Sequence, residues 1–487
     1  MIDKVREIAL KTLYKIDVDK AYSNIVLDEM IKQNKNSLNE KDIGLISEIV
    51  YGVTTWRLTL DTIIKKYSKI KTKKISPWIF NILRMSIYQI IFLDKIPKSA
   101  AVNEGVNLSK RYGHKSSSGF VNAILRKVTK QDYEELLYIQ NKEERISKVY
   151  SIPKWIITEL KQEGMKINKI EEICKNSNIR PKVSIRVNTL KTKKTEIKKY
   201  LLEKQIIVKD GILQDFLILE KVKNLESLKE FKEGLFTVQD EAAGLTALIL
   251  NPKKDDKILD ACSSPGGKTT YIAQIVDNAG EIDAWDLHES RIKLVEENAK
   301  RLGINIIKTK VNDATKYNEE YFEKFDKILL DVPCLGLGVL KRKPDIKWQR
   351  TKDDIKNISK TQYDILNTCS KYLKQGGELV YSTCSILDSE NKEIILKFLE
   401  VNDNFEIKEI EISKYESEAN SFFKKYLIDN KFLQVYQNEN TDGFFIAVLF
   451  AFLLSEHISK PIHELSKGAK AVAGGDLSYK VPEENNN

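Results

Sequence analysis

The chain is predicted to fold as three parts: an all-helical N-terminal domain, a small α+β subdomain, and an α/β domain built on a doubly wound, mostly parallel sheet. Residues 1–130 carry apolar periodicity of about 3.6 and no strand pattern. Short alternating runs replace it between 176 and 241. From 255 to 447 strand and helix patterns alternate, the order that a parallel sheet with crossover helices requires. A length of 487 residues suits about three domains.

Composition narrows the class. With 42% apolar and 31% charged residues the chain is globular, which excludes wholesale disorder. Net charge is +10, from 80 Lys+Arg against 70 Asp+Glu, and such an excess points to a polyanion only where it clusters. The five cysteines (Cys174, Cys262, Cys334, Cys369 and Cys384) are scattered, without zinc spacing or nearby histidine partners. No metal site is expected. An odd number of separated cysteines and no signal-peptide pattern suit a reducing cytoplasm.

In the helical part, Val5, Ala9, Leu10, Leu13 and Tyr14 share one face, and Ser23 is placed as the cap of a second helix. Ser76-Pro77 reads as a cap followed by proline at the first helical position, opening an apolar helix through Phe92. That run is shorter than a membrane span and holds Arg84 and Gln89, so it reads as a buried core helix. No acidic residue stands between Asp61 and Asp94, whereas Lys65, Lys66, Lys69, Lys71, Lys73 and Lys74 crowd together. A second basic group comprises Lys110, Arg111, His114, Lys115, Arg126 and Lys127. Solvated lysine faces explain such runs, but two of them in one helical unit favour sequence-independent RNA contact.

Residues 131–175 read as a helical connector, with Pro153 opening a helix that carries Trp155. Within 176–241, strands are expected at 183–188 and 216–219, with a helix at 192–204, and 234–238 leads into the next helix. Arg186 and Asn188 either face RNA or are exposed strand polar residues.

The α/β part spans 242–449. Its strands are expected at 257–260, 281–286, 305–310, 326–331 and 378–381, with helices at 290–302 and 353–373 and a last strand at 443–447. The stretch 258–271, ILDACSSPGGKTTY, runs from strand through a glycine turn into a helix. Backbone N–H groups at such a turn can face an anion or carboxylate. A phosphate-binding loop would need glycine where Cys262 stands, and the dinucleotide pattern G-x-G-x-x-G is absent. Asp286 ends the second strand, where a carboxylate can accept hydrogen bonds from a ribose diol. Asp313 follows the third and can accept from an exocyclic amine, although acidic residues at strand ends also serve as turn formers. Together these features describe an adenosine-containing cofactor, and the missing phosphate motifs favour S-adenosylmethionine.

The two remaining strands lead into cysteines, Asp331-Val332-Pro333-Cys334 and Tyr381-Ser382-Thr383-Cys384. A single cysteine is most often a buried structural thiol. Two at strand ends beside a cofactor loop suggest a nucleophile. Cytosine supplies the reason: carbon 5 attacks a methyl donor readily only after a thiolate has added to carbon 6. A free thiol has a pKa of about 8.5, so positive charge or a helix dipole must raise the thiolate fraction.

These blocks, with LLDVPCLGLGVLKRKPDIKW and YSTCS, resemble the Sun/Fmu family of RNA cytosine-5 methyltransferases. REIALKTLY and the 102–128 stretch are similar to the NusB RNA-binding fold. The resemblance covers roughly residues 1–447 and implies a NusB-like domain followed by a Rossmann-like methyltransferase domain. With a NusB-like N-terminus it implies small-subunit ribosomal RNA as the substrate; another RNA, or a non-catalytic RNA-binding scaffold, is the alternative. It places cofactor contacts on Cys262, Ser263, Ser264, Pro265, Gly266, Gly267 and Lys268, with Asp286, Asp313 and Asp331 at ribose, adenine and methionine ends. The nucleophile falls on Cys384 and product release on Cys334. Ser263-Ser264 replaces a common alanine pair, and Leu335-Gly336-Leu337 a more polar stretch. The cations of 341–347, with Trp348, suit phosphate contact and base stacking. No obligatory protein partner and no membrane association are expected, and a monomer is.

Residues 450–487 do not continue that pattern. The apolar run 444–454 is too short to span a bilayer, and 458–481 resembles the opening of a HAMP linker. One short amphipathic helix followed by disorder is expected there, as a fragment foreign to the methyltransferase.

Overall fold

The computed structural model describes residues 3–452, apart from 221, 223–224 and 413–416. The tail expectations at 453–487, including the HAMP-like stretch, lie outside the described residues.

In the N-terminal part, helices Lys4–Val18, Glu40–Thr55 and Pro77–Phe92 pack around one apolar core in which Leu10, Ile49, Ile82 and Leu108 are inaccessible. Asp3 caps the first helix through the Arg6 amide, and Asn39 with Asp42 forms a reciprocal capping box on the second. Pro77 opens its helix as expected, but the Ser76 side chain makes no capping bond. Ser23 is not a cap either. It is the first residue of helix Ser23–Gln33, and its hydroxyl donates to Asp345. The core helix accommodates Arg84 because two carboxylates meet its guanidinium, Asp61 at 2.6 and 2.8 Å and Asp17 at 2.9 Å.

The small subdomain is an antiparallel sheet of β1 (Val183–Val187), β2 (Ile207–Asp210), β3 (Phe216–Glu220) and β4 (Phe236–Val238), in the order β2-β3-β1-β4. Ile197 and Leu201 of helix Lys194–Glu203 cover Ile185, Val187 and Leu217.

The large sheet combines β5 (Lys257–Asp260), β6 (Glu281–Asp286), β7 (Ile307–Val311), β8 (Phe325–Asp331) and β9 (Leu373–Thr383), which are parallel, with antiparallel β10 (Phe405–Lys408), β11 (Leu427–Ile428), β12 (Phe432–Val435) and β13 (Phe444–Ala451). The order is β11-β12-β13-β9-β8-β5-β6-β7, with β10 on β13. This corrects the expected mostly parallel sheet. Beyond β9 every pairing is antiparallel: β11, β12 and β13 follow one another as a meander, and β13 runs back between β9 and β12. Strand β13 also runs past the expected end at 447, and its register from Phe445↔Thr383 to Phe450↔Glu378 seats it on β9. Most of the short apolar run is therefore a central strand. Among the described residues no helix is long and apolar enough to cross a membrane.

The stretch after Cys334 joins the parts. Leu335, Leu337 and Leu340 are buried with Ile156, Ile157 and Ile170 of the connector helices, so these apolar residues anchor the stretch. Further along, Trp348 Nε1 donates to the Thr54 carbonyl at 2.7 Å, and Lys347 Nζ reaches Asn178 at 2.7 Å and the Thr55 carbonyl at 3.3 Å. Both carbonyls belong to the C-terminal turn of helix Glu40–Thr55, where donors and positive charge are favoured. Arg57 lies over the indole, 5.6 Å from its centroid. Lys341 is spent on the Thr441 carbonyl (2.7 Å), and Arg342 on Asp442 (2.5 Å). These residues do not form the expected surface for phosphate and base; only Lys343 in this group is exposed. Trp348→Ala should lower stability by about 2 kcal/mol through the lost bond and cavity. A reduced urea midpoint would report it, while Lys343→Ala should leave the midpoint at the wild-type value.

Candidate active site

At the end of β5 the chain turns through 261–266 into helix Gly267–Ile275. Gly266 has φ +97°, and a Cβ there would meet Val295 Cα at 3.2 Å, so glycine is needed for both conformation and space. The loop is fastened from three sides. Ser263 donates to the Trp285 carbonyl through its amide at 2.8 Å and its hydroxyl at 2.9 Å. Ser264 Oγ reaches the Arg291 carbonyl at 3.1 Å, and Asn298 Nδ2 reaches that of Pro265 at 2.9 Å. Thr269 Oγ1 donates to Asp260 Oδ2 at 2.7 Å, while Asp260 Oδ1 is buried without a partner. The first amides of this helix have no intrahelical acceptor and stay available at the turn.

Arg186 carries a correction. It is neither exposed nor turned toward RNA: it is 1% accessible, and its guanidinium donates to the Gly267 carbonyl at 2.7 Å, to Thr270 Oγ1 at 3.0 Å and to Gln239. Burial pushes its pKa down to about 10. The same subdomain supplies Asn188, buried between the carbonyls of Gly234 (2.8 Å) and Leu302 (2.9 Å). Both residues join the small sheet to the large domain. Strand alternation suggested an outward face because it could not register that a second domain covers it.

The strand-end carboxylates converge only in part. Asp286 is 6% accessible; its Oδ1 accepts from the His288 amide at 3.1 Å and its Oδ2 faces Arg291 Nε at 3.3 Å. Asp313 serves as a turn former, accepting from the Thr315 hydroxyl (2.6 Å) and amide (3.1 Å), and the hydroxyl bond leads in holding its pKa below the usual range. Asp331 Oδ2 pairs with Lys268 Nζ at 2.5 Å, and its Oδ1 accepts from Ser382 Oγ at 3.0 Å. Burial opposes the Lys268 charge, but Asp331 outweighs it and the ammonium pKa is raised. Lys268 also interacts electrostatically with Cys384.

Cys334 and Cys384 come together. Their sulfurs stand 3.1 Å apart as free thiols, both half-buried. The Cys384 hydrogen bond, then burial, raises the Cys334 thiol pKa well above its ordinary value. Gly338 donates its amide to the Cys384 carbonyl at 2.8 Å, and a Cβ on Gly338 would run into that carbonyl and the one of Gly443. Burial pushes the thiols of Cys262 and Cys369 up, and that of Cys174 up to about 12, so none of these is activated. Among the described residues no acidic, histidine and cysteine cluster is arranged to hold a metal.

Both basic groups of the helical part are exposed, although Lys66 is held by Asp132 at 2.7 Å and Glu135 at 2.5 Å. Lys110 and Arg126 line an open groove of about 600 Å³ together with Asn103, Asn107 and Asn122. Arg186, Gln239 and Glu390 are the site residues that sequence reasoning did not single out as such. Only the unusual Arg within an apolar strand was a usable signal.

Comparison with known proteins agrees with this architecture. Residues 247–450 match the family described as 16S rRNA methyltransferase RsmB/F, residues 3–130 the NusB family, and residues 152–226 the RsmF/B-like ferredoxin-like domain. The probable ribosomal RNA small subunit methyltransferase B of Bacillus subtilis (strain 168) is 35% identical, over 91% of this chain and 97% of its own. The crystal structure of PH0851 superposes with a TM-score of 0.75 at 26% identity, covering 92% of this chain and 99% of that one. NSun6 from Pyrococcus horikoshii, solved with SFG, gives a TM-score of 0.53 at 26% identity over 65% and 99% of the two chains.

Burial raises the Asp260 carboxyl pKa to about 7. Its neutral form is the one the fold tolerates, so its contribution is complete below about pH 4 and is lost as pH rises toward 7. Relative to Asp260→Asn, the wild type should lose more than about 1 kcal/mol between pH 4.5 and 7.5, measured by urea unfolding at both values.

Proposed function

The chain belongs to the family of ribosomal RNA small subunit methyltransferases B, and from that premise we propose that it forms 5-methylcytosine in 16S ribosomal RNA, using S-adenosylmethionine and a covalent cysteine–cytosine adduct. The observation that carries this reading is the 3.1 Å approach of two free thiols at adjacent strand ends, beside the Asp331–Lys268 pair. One thiol alone would suffice for a structural role. Two in contact suit a reaction that first makes and then breaks a sulfur–carbon bond.

The cofactor fits the residues present. Open amides at the start of helix Gly267–Ile275, the unpartnered Asp260 oxygen and the carboxylates of Asp286 and Asp331 surround the turn. Asp286 would hold the ribose hydroxyls, Asp313 the adenine amine through its second oxygen, and Asp331 with Lys268 the amino-acid end. SFG, an analogue of S-adenosylmethionine, in the Pyrococcus horikoshii neighbour supports the same choice. When bound, the cofactor supplies an electrophilic methyl group on a sulfonium.

On the protein side, Cys384 acts as nucleophile. Its thiolate adds to carbon 6 of the target cytosine, and the electron pair moves to carbon 5, which takes the methyl. Transfer of the carbon 5 proton to water then expels the Cys384 thiolate and restores the ring. Lys268 offers positive charge to the thiolate. Cys334, held as a thiol in contact with Cys384, assists release. The base must leave its stack, at about a few kcal/mol, and the basic helical domain would supply backbone contacts that offset this.

The test is incubation of wild type, Cys384→Ala and Cys334→Ala with methyl-labelled S-adenosylmethionine and unmodified 16S RNA, followed by a denaturing gel. Cys334→Ala should trap a labelled protein–RNA adduct and Cys384→Ala should give none. The reverse pattern would exchange the two roles. Failure of the wild type to label this RNA, with labelling of transfer RNA, would change the substrate; failure with both would favour a scaffold without activity. In the RNA-binding domain, Lys110→Glu with Arg126→Glu should weaken binding and reduce the slope of log K against log salt by about 1.5, read from titrations at several salt concentrations.

A further inference from the structure

We propose that Glu390 is the positioning residue for both active-site cysteines, tying the loop that carries Cys334 to the loop that carries Cys384 through one buried carboxylate. One of its oxygens accepts from the Leu335 amide at 2.7 Å and from Gln362 Nε2 at 3.2 Å; the other accepts from Ser385 Oγ. Leu335 directly follows Cys334, and Ser385 directly follows Cys384. Gln362 also donates to the Pro333 carbonyl at 2.9 Å, so Cys334 is bracketed on both sides. The Glu390 carbonyl accepts from Tyr381 at 2.7 Å on the strand that delivers Cys384. Asn391 completes the bracket there, accepting from Thr383 Oγ1 at 2.5 Å and donating to the Ser385 carbonyl at 3.2 Å and to Gln434 at 2.9 Å.

Glu390 is fully buried, and no ion pair neutralises it among the described residues; burial raises its carboxyl pKa, opposed by the hydrogen bonds from Ser385, Leu335 and Gln362 and, at longer range, by Arg350. Burying a carboxylate in this way is unfavourable by several kcal/mol unless donors meet it. Here all its partners are donors from the two catalytic loops and the helix beside them, which is what a carboxylate can satisfy and an amide only in part. The charge has a second effect. When ionised, Glu390 adds with Asp331 to the larger effects of the Cys384 hydrogen bond and burial that raise the Cys334 thiol pKa. Glu390 thereby sets where the two sulfurs stand and favours the proton staying on Cys334. The position of the sulfurs is independent of the RNA reading; the effect on turnover rests on it.

The experiment uses the full chain with Glu390→Gln, Glu390→Ala and Ser385→Ala. Diamide, a thiol oxidant, removes two electrons and two protons from the Cys334–Cys384 pair and closes a disulfide, itself being reduced to the hydrazine. Closure should slow about tenfold in Glu390→Ala and by less in the other two, since small displacements weigh heavily at such short range. Glu390→Gln, close in volume, carries the test if the alanine variant does not fold. In a Cys384→Ser background, Glu390→Gln should move the pH midpoint of Cys334 alkylation by iodoacetamide down by about one unit. The kcat for RNA methylation should fall about tenfold with KM nearly unchanged. Closure rates and alkylation midpoints equal to the wild type would overturn the proposal, even if the variants melt earlier. Slowed closure in a protein whose wild type transfers no methyl group would leave the positioning role standing and remove the RNA reading instead.

Discussion

Parallel pairing of β8 with β9 is the constraint on which the site depends. Their register sets Asp331 beside Ser382, so the chain leaves both strands at the same level and on the same edge of the sheet. Cys334 and Cys384, each a few residues farther on, then have little room to separate. Strand β5 lies on the other side of β8 and ends at the same edge, which brings Lys268 of the following helix onto Asp331. Open α/β sheets gather ligands and chemistry at the carboxyl ends of their strands for this reason.

A second constraint is that the other two parts of the chain hold the site's loops in place. Arg186 reaches from the small sheet to hold the first turn of the cofactor-loop helix, and its desolvation is offset by the Gly267 carbonyl, Thr270 and Gln239. The segment after Cys334 runs the other way. It buries three leucines against the connector helices and then plants Lys347 and Trp348 on the end of a helix in the basic N-terminal domain. The helical domain and the half of the site that holds Cys334 are therefore joined by one continuous, mostly buried stretch. Residues that resemble an RNA-binding surface in composition are here the material of an interface, because a helix C-terminus offers carbonyls that cations and an indole N–H can satisfy.

The antiparallel half of the sheet has a plainer role. β13 lies along β9 and stiffens the strand that delivers Cys384, and the turn before it lets Gly443 meet Gly338 backbone to backbone. That contact closes the loop after Cys334 over the Cys384 carbonyl. Side chains at either glycine would force the two loops apart.

The sequence by itself determined what is local. The strands at 257–260 and 281–286, the helix at Pro77–Phe92, the glycine turn and the two strand-end cysteines all follow from periodicity, capping and motif over a few residues, and they lie where periodicity and motif placed them. Tertiary structure alone decided which of these groups meet. Arg186, Trp348 and Glu390 take partners far away in the chain, and alternation along a strand cannot report that a second domain covers its outer face. Nor could it distinguish a lysine that stays in water from Lys347, whose pKa burial lowers to about 7. The 3.1 Å between Cys334 and Cys384 is of the same kind, because the two cysteines are 50 residues apart and the register of β8 on β9 brings them together.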